Sequence, residues 1–307
     1  MKFIGLQKQI RQNNFKSILL LLSFPVIILG GTYVVFFLSY QPDIEYVNRS
    51  FIKTIPYVAI GVTVWFLIAY FSHSAIIKRT TKSQSLSRKE NMKIYNMTEN
   101  LCMSIGMTMP KLYIIDSPGF NAFASGLDNK TFSVTLTSGI IEHLTDEEIE
   151  GVIAHELTHI RNKDVRLLII SIIFVGIFGF LIQVMFRSML FGGRRKDSKL
   201  DPKVMIIAFA VAALGYLLTM LFRFALSRKR EYLADAGAVE LTKNSHALAS
   251  ALRKISGNSD VEVKSADVKQ MFIENGGRKK GFMSSMKNLF ATHPPIDKRI
   301  EILERRL

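Results

Sequence analysis

The amino-acid sequence predicts an α+β protein: a helical integral membrane protein with four transmembrane helices and a mainly helical polar domain that contains a small β-sheet. Three observations support this class. The apolar residues are concentrated in four uncharged runs, the charged residues fall in two long blocks around them, and two short stretches of the first block are rich in β-branched and aromatic residues.

Four uncharged runs have the length of a membrane-crossing helix. They cover residues 17–40, 54–77, 167–186 and 204–222. Because a bilayer core about 30 Å thick needs roughly 20 apolar residues in a helix, each run predicts one transmembrane span. The first run exceeds the apolar part of a signal peptide and is soon followed by a second, so we expect an uncleaved anchor.

The order of these runs predicts four segments. Residues 1–77 form an N-terminal transmembrane hairpin, 78–166 the first part of the polar domain, 167–222 a second hairpin, and 223–307 the second part of the domain. The two polar parts are long enough to bury a sizeable core if they fold together. Within the last segment, a glycine- and charge-rich stretch at 257–291 lacks a clear period and predicts a long loop or flap.

The net charge of +15 is concentrated beside the first hairpin. Lysine and arginine precede residue 17 and follow residue 77, whereas the loop 41–53 is balanced, so both ends of this hairpin are predicted to be cytoplasmic. This placement accounts for the charge, and no motif supports a nucleic-acid partner. The basic turn 192–203 breaks the same tendency, so the second hairpin either crosses twice against it or does not fully span.

Two strands and a capped helix are predicted in the first polar part. The strands are "PKLYIID" (110–116) and "TFSVTLT" (131–137), separated by a glycine- and asparagine-containing segment. Thr145 and Glu148 have the spacing of a capping box at the start of "LTDEEIEGVIAHELTHI". The single cysteine, Cys102, excludes an intrachain disulfide, suits a reducing compartment and is expected to fill the core.

The predicted helix carries the pattern H-E-x-x-H at His155, Glu156 and His159. Residues i and i+4 lie on one face of a helix, so both imidazoles can reach one zinc ion at about 2.0–2.1 Å. Glu156 is offset from them and can take a proton from a water as general base. The pattern also arises by chance, in which case the histidines are a solvated helix face.

A third ligand is expected from elsewhere, because catalytic zinc usually has three protein ligands and one open position. The stretch "SRKREYLAD" supplies Glu231, with Asp235 one helical turn further to accept a hydrogen bond from a ligating histidine. Alone, this stretch would be an ordinary amphipathic helix start. If His159 and Glu231 bind one ion, the apolar segment 167–222 must leave the site and return, as a helical hairpin does.

Four motifs in this order resemble the HtpX-type membrane zinc metallopeptidases, relatives of the CAAX prenyl endopeptidases within the gluzincins. They are "NAFASG", "HELTH", "SRKREYLAD" and "THPPIDKRI", and the resemblance covers essentially the whole chain. It implies a bacterial inner-membrane endopeptidase with one zinc ion per chain and a cytoplasmic active site. Its implied role is quality control, with unfolded or damaged membrane proteins as substrates in the lipid bilayer.

The resemblance also implies roles for particular residues. It makes His155, His159 and Glu231 the zinc ligands and Glu156 the base. It places Asn121 against the substrate backbone and His293 near the developing oxyanion. From the residues alone, Asn121 is typical of a turn and His293 of a helix entry. The strand near Asn121 alternatively offers an edge to which an extended substrate can add.

Three other functions are compared with this one. A CAAX-type prenyl-protein endopeptidase is the alternative enzyme, but four spans are few for an enclosing barrel of helices. Cleavage inside the membrane is disfavoured because charged residues, "DEE" and "RNKD", flank the zinc helix. A non-catalytic scaffold with a structural zinc would usually close the site with four ligands, whereas here Glu156 and an open position are retained.

Overall fold

A computed structural model of the chain describes residues 6–40, 42–191, 202–225, 228–263, 268, 271–274 and 294–305. The helices of these ranges are α1 (Leu6–Tyr40), α2 (Ile44–Thr81), α3 (Met92–Ser104), α4 (Ser138–His143), α5 (Asp146–Arg161), α6 (Asp164–Phe191), α7 (Pro202–Ala225), α8 (Arg228–Thr242), α9 (Ser245–Asn258) and α10 (Ile296–Glu304). The strands are β1 (Gln84–Ser85), β2 (Lys111–Ile115), β3 (Ala122–Ser125) and β4 (Ser133–Thr137). The protein is therefore mainly helical with a small sheet, as predicted.

The chain divides into two units, of which one is apolar. This unit comprises Phe15–Ser72 and Ile170–Arg223, which hold most of α1, α2, α6 and α7. Aromatic packing joins its helices: Phe24 stacks on Phe174 with ring centroids 4.3 Å apart, and Trp65 lies 5.3 Å from Phe180. Such ring pairs contribute packing energy between helices whose outer surfaces remain apolar.

The outer surface of these helices carries many exposed large apolar side chains. Tyr57 and Phe71 are both 76 % exposed, and similar residues recur along α1 and α2. Exposed apolar area of this extent is typical of a surface that contacts a membrane or another protein. Among the described residues, three segments are long and apolar enough to cross a membrane, namely Asn14–Tyr40, Ile44–Thr81 and Asp164–Arg187. The described apolar part of α7, Val204–Leu217, is shorter, so the fourth predicted span stays a prediction.

The polar unit comprises Met1–Asn14, His73–Ile169 and Phe224–Leu307 and contains a mixed four-stranded sheet. The strand order is β1-β2-β4-β3, with β2 and β4 parallel and the two outer pairs antiparallel. The two strands predicted from sequence are β2 and β4. The intervening segment also contains β3, which ends immediately before Gly126. The chain begins its turn toward β4 at this glycine, whose φ of +118° is a backbone conformation that glycine adopts readily.

Helix α5 is the centre of the polar unit and is buried along most of its length. It packs against α8, α9 and β3. Two glycines allow these close approaches: a Cβ at Gly237 would lie 2.4 Å from the Thr158 side chain, and one at Gly151 would lie 3.3 Å from the Leu248 Cα. A larger residue at Gly237 would separate α5 from α8, which carries the expected third ligand, and one at Gly151 would separate α5 from α9.

The capping box and the buried cysteine predicted for this unit are present, and α10 begins directly after a proline. Thr145 and Glu148 form the reciprocal capping box that begins α5. Pro295 immediately precedes α10, whose apolar stripe is buried. Cys102 is buried in the core, and its burial raises its thiol pKa to about 11, so it is an inert core residue. Of the predicted loop at 257–291, part lies outside the described residues.

Candidate metal centre

Helix α5 directs two histidines toward one point, where a carboxylate from α8 meets them. The Nε2 atoms of His155 and His159 lie 3.2 Å apart. Glu231 Oε2 lies 3.7 Å from His155 Nε2, and Glu231 Oε1 lies 3.6 Å from His159 Nε2. The structure thus brings together the three residues that the sequence nominated as ligands.

The separations between these atoms fit a tetrahedral metal ion. Bonds of about 2.0–2.1 Å in a tetrahedron place ligand atoms about 3.3–3.4 Å from one another. The three observed distances, 3.2, 3.6 and 3.7 Å, bracket this value. Two imidazole nitrogens and one carboxylate oxygen are a donor set suited to zinc, and they leave a fourth position for water or substrate.

On one side of the centre, His155 is held by Asp235 and Arg299. Asp235 Oδ1 lies 3.0 Å from His155 Nδ1, which directs the other ring nitrogen toward the centre. Arg299, from α10, donates two hydrogen bonds to Asp235, at 2.9 Å from Nε and 2.7 Å from Nη2. Its Nη1 lies 3.3 Å from Glu231. This guanidinium therefore joins both carboxylates of α8.

The charges on this side shift several pKa values. Burial disfavours the protonated His155 ring, but hydrogen bonds to Asp235 and Glu231 outweigh it and raise the pKa of His155 to about 9. Burial would raise the pKa of Asp235, yet the nearby Arg299 holds it below its ordinary value. The site thus attracts positive charge, and a metal ion must displace the proton from His155 to bind.

On the other side, His159 is oriented by Asp164, the first residue of α6. His159 Nδ1 lies 3.2 Å from Asp164 Oδ2. The arrangement repeats the one at His155, since in each ring Nδ1 faces a carboxylate and Nε2 faces the centre. Arg230 also donates to the main-chain oxygen of Asp164, at 3.3 Å, and so connects the start of α8 to the start of α6.

Glu156 is buried beside the three nominated ligands and close to the main-chain N–H of Ala124 in β3. Burial raises the pKa of Glu156 above its ordinary value, although the nearby histidines and the main-chain N–H of Ala124 oppose the shift. A carboxylate with a raised pKa is a better proton acceptor at neutral pH. This position and protonation behaviour suit a general base.

Asn121, nominated as a substrate contact, is buried next to the outer edge of β3. Its side-chain nitrogen donates to the carbonyl oxygens of Ser259 and Glu274, at 3.0 and 2.8 Å. The N–H of Ile273 donates to the oxygen of Ala122 at 2.9 Å, so the segment 272–274 lies along this edge. The substrate role of Asn121 stays a prediction, and His293 lies outside the described residues.

A sequence model of peptidase family M48 matches residues 88–307, which include all of these groups. The chain belongs to peptidase family M48. This M48 member is 52 % identical to a protease HtpX homolog of Bacteroides fragilis over 99 % of its own length and 100 % of the relative's. It is 36 % identical to a protease HtpX homolog of Lactobacillus helveticus, over 98 % and 99 % of the two chains.

The fold is also found in a solved structure. The crystal structure of Ste24p from S. mikatae aligns with a TM-score of 0.50 and 21 % identity, covering 97 % of this chain and 67 % of that chain. At this identity the likeness concerns the fold alone. The family and its relatives, together with the apolar helices, show that this M48 member is a metalloprotease and indicate that it is a membrane protein.

Two residues of the centre were missed by the sequence analysis. Arg299 shares a helical stripe with the apolar residues Ile296, Ile300 and Leu303, and a charge on such a stripe was the signal that its side chain is buried. Asp164 had no assigned role, although it lies five positions after His159. Neither pairing follows from helical spacing, because each joins two different helices.

Proposed function

We propose that this M48 member is a zinc-dependent endopeptidase that hydrolyses peptide bonds of misfolded or damaged membrane proteins at the cytoplasmic face of the bacterial inner membrane. The observation that carries the proposal is the convergence of His155, His159 and Glu231 at distances suited to one zinc ion, with the Glu156 carboxylate buried beside them. When bound, zinc supplies a Lewis acid for the scissile carbonyl.

The residues of the chain account for the proton transfers of hydrolysis. Glu156 takes the proton of the attacking water on a carboxylate oxygen and later delivers it to the leaving amine nitrogen. Asp235 and Asp164 keep both histidines in the orientation in which Nε2 faces the centre, while burial of the ligands excludes bulk water.

We further propose that the substrate binds in extended form along the outer edge of β3. Ala122 and Ala124 present main-chain groups on this edge, and the Ala124 N–H lies close to Glu156. An added strand obtains affinity from main-chain hydrogen bonds and therefore accepts many sequences. Such tolerance suits a protease that acts on unfolded segments. The segment 272–274 occupies the Ala122 end of the edge and must yield to a substrate that extends there.

The proposed membrane arrangement rests on the charge distribution. Basic residues cluster outside the first two apolar runs, which supports a cytoplasmic polar unit. With the ligand helices α5 and α8 separated in sequence by α6 and α7, a hairpin that crosses twice brings them to the same side. We therefore propose four crossings, with the second hairpin inserted despite its basic turn.

The test is proteolysis of an unfolded protein by the detergent-solubilised full chain, purified without metal and then supplied with zinc. We expect zinc-dependent cleavage that falls by about 10²–10⁴-fold in Glu156→Gln, because the general base is lost. Metal content per chain is measured in the same samples and is expected to be equal. Glu147→Gln, which alters an exposed carboxylate on the same helix, is the matched control and should retain full activity.

Each outcome of this test has a definite meaning. Equal activity in the Glu156→Gln variant and the parent would remove Glu156 as the base. Zinc binding without cleavage of any unfolded substrate by either protein would favour the scaffold function. Cleavage that is unaffected by removal and return of zinc would overturn the metal-dependent mechanism.

A further inference from the structure

A small cavity lies over one face of the sheet in the polar unit, next to the last turns of α2. Its volume is about 30 Å³. Since one water needs about 10–15 Å³, the cavity has room for two or three water-sized groups, such as two or three of the four oxygens of a phosphate. The register of the strands places Lys111 and Tyr113 of β2 beside Ser133 and Thr135 of β4 on this face.

Hydroxyl groups line the floor of the cavity. Thr135 is 2 % exposed, and within the described part of the chain its hydroxyl has no hydrogen-bond partner. Ser125 and Ser133 lie 2.7 Å apart and share one hydrogen bond, so one of their two protons remains available. These hydroxyl groups can therefore donate to an acceptor that enters the cavity.

Two lysines, Lys78 and Lys111, line the cavity, and no carboxylate of the described residues lines it. Across the described ranges, neither lysine forms an ion pair. Lys78 Nζ lies 4.6 Å from the centroid of the Tyr113 ring, which holds the ammonium near the opening. The nearby carboxylate of Asp128 is bound within its own turn by Lys130 and Thr131. The cavity is therefore positively charged and rich in hydrogen-bond donors.

The location of the cavity favours one source of anion. Lys78 directly follows the uncharged run 54–77, where α2 changes from apolar to basic. In a helix that crosses a membrane, this change falls at the level of the lipid headgroups. A phosphate of the surrounding lipid would therefore lie at the height of the cavity.

We propose that this cavity binds a phosphate group, with Lys78 and Lys111 neutralising its charge and the Thr135 hydroxyl donating to one oxygen. A metal cation would find two ammonium groups and no carboxylate. A peptide would not fit the volume. A phosphate combines the size, the charge and the acceptors that these residues require. The site is separate from the metal centre and does not depend on the proposed proteolysis.

The experiment measures binding to the full chain in a non-ionic detergent by thermal shift and by titration. Three probes are used: inorganic phosphate, short-chain phosphatidylglycerol, and short-chain phosphatidylcholine, at constant ionic strength. We expect the double variant Lys78→Gln/Lys111→Gln to weaken binding by at least about tenfold, because two charge-assisted contacts are lost. The matched control is Lys89→Gln/Lys298→Gln, which removes two exposed lysines elsewhere in the polar unit and should bind like the parent.

Thr135→Val keeps the shape of the side chain and removes its hydroxyl. It provides a second test if the double variant does not fold, and we expect it to weaken binding about fivefold through the lost hydrogen bond. Binding of phosphatidylglycerol well above inorganic phosphate identifies a lipid headgroup as the source, and equal binding identifies a free phosphate group. The proposal is overturned if no probe binds, or if both cavity variants that fold bind as tightly as the control.

Discussion

The two histidines of the metal centre lie on one helix, one turn apart, yet their surroundings differ. The His155 side chain is 1 % exposed and faces Asp235, which is bound in turn by Arg299. The His159 side chain is 13 % exposed and faces Asp164. Each ring is oriented by one carboxylate. The Asp235 carboxylate accepts from Arg299 of α10, whereas Arg230 of α8 donates to the main-chain oxygen of Asp164.

The difference follows from where each carboxylate originates. Asp235 and Glu231 are one turn apart on α8, so two negative charges are buried side by side and need a cation. Asp164 is the first residue of α6, where the helix dipole already favours negative charge. The same orienting role can thus be stabilised in two ways: by a distant charged partner, or by a position at a helix start.

The largest effect is expected from Arg299→Leu. Removing one partner of a buried charge cluster typically costs about 3–5 kcal/mol, and here Asp235 and Glu231 would both lose their cation. Denaturant unfolding of the metal-free protein in detergent should show this loss, with Arg299→Lys recovering part of it. Arg253→Leu, at an exposed ion pair with Glu304, should change stability by less than about 1 kcal/mol. Equal stability of the two leucine variants would refute the role given to Arg299.

Asp235→Asn should weaken zinc binding by about 10–100-fold, the usual effect of losing a carboxylate that orients a ligating histidine. The amide oxygen can still accept from the His155 N–H, but it lacks the negative charge that strengthens this hydrogen bond, and Arg299 loses one of the two carboxylates with which it pairs. Competition with a chromophoric chelator measures the affinity. An unchanged affinity would show that Asp235 does not orient His155.

Asp164→Asn should have the smaller effect on zinc affinity, about tenfold, at the lower end of the same range. The amide oxygen can still accept from His159 Nδ1, and the more exposed ring can also be oriented by water. The chelator competition used for Asp235→Asn gives the direct comparison. If Asp164→Asn weakens zinc binding more than Asp235→Asn does, then zinc affinity depends more on the carboxylate at His159 than on the one at His155, contrary to this prediction.

Glu148→Gln tests whether the loss of a buried charge on α5 affects stability alone when that charge is not next to the metal ligands. Burial would raise the pKa of Glu148, but hydrogen bonds from Lys254, Ser250 and Thr145 lower it. A lowered carboxyl pKa adds stability above the ordinary value of 4.5, and this stability is lost as the pH falls through the folded-state pKa. We expect the variant to be less stable by about 1 kcal/mol at pH 7, with the difference disappearing in acid.

Unfolding followed from pH 7 downward checks this prediction, and zinc affinity measured at pH 7 is its control. The affinity should equal that of the parent, since Glu148 bonds to Thr145 and α9 and not to the ligands. A stability difference that persists at low pH would contradict the lowered pKa.

The smallest effect is expected at the covered edge of β3. Ile273→Pro removes the N–H that donates to Ala122, and so loosens the segment 272–274. We expect peptide hydrolysis to rise about threefold, corresponding to the loss of one modest hydrogen bond. Ile273→Ala keeps the N–H and should leave the rate nearer to that of the parent. A proline variant that is no faster than the alanine variant would show that this contact does not limit substrate access.

Local signals predicted the parts of the centre that lie within one helix. The spacing of His155 and His159 and the capping box at Thr145 are properties of consecutive turns of α5, and the structure contains both. The prediction of Glu231 and Asp235 used the same helical spacing on α8. Patterns of this kind are readable because the helix fixes the relative direction of residues three and four apart.

The other features of the metal centre and of the fold were not predicted, because they depend on contacts between segments that are distant in the sequence. Arg299 meets Asp235 across 64 positions, and no periodicity relates the two residues. The strand β3 was not separated from its loop, because four residues rich in alanine carry little strand signal and are ordered by pairing with β4. The extent of α7 as a membrane span stays a prediction from its composition.

Arg299 follows every other residue of the metal centre along the chain, which has a consequence for biosynthesis. A polypeptide that is still being translated can possess both histidines, the base and the two α8 carboxylates before it possesses the arginine that neutralises them. Until α10 packs against α8, those carboxylates lack their cation. The packing of α8 against α5 is then less stable, because two negative charges are buried without a positive partner. The order of these residues along the chain therefore makes the pairing of Arg299 with the α8 carboxylates a late contact in the assembly of the metal centre.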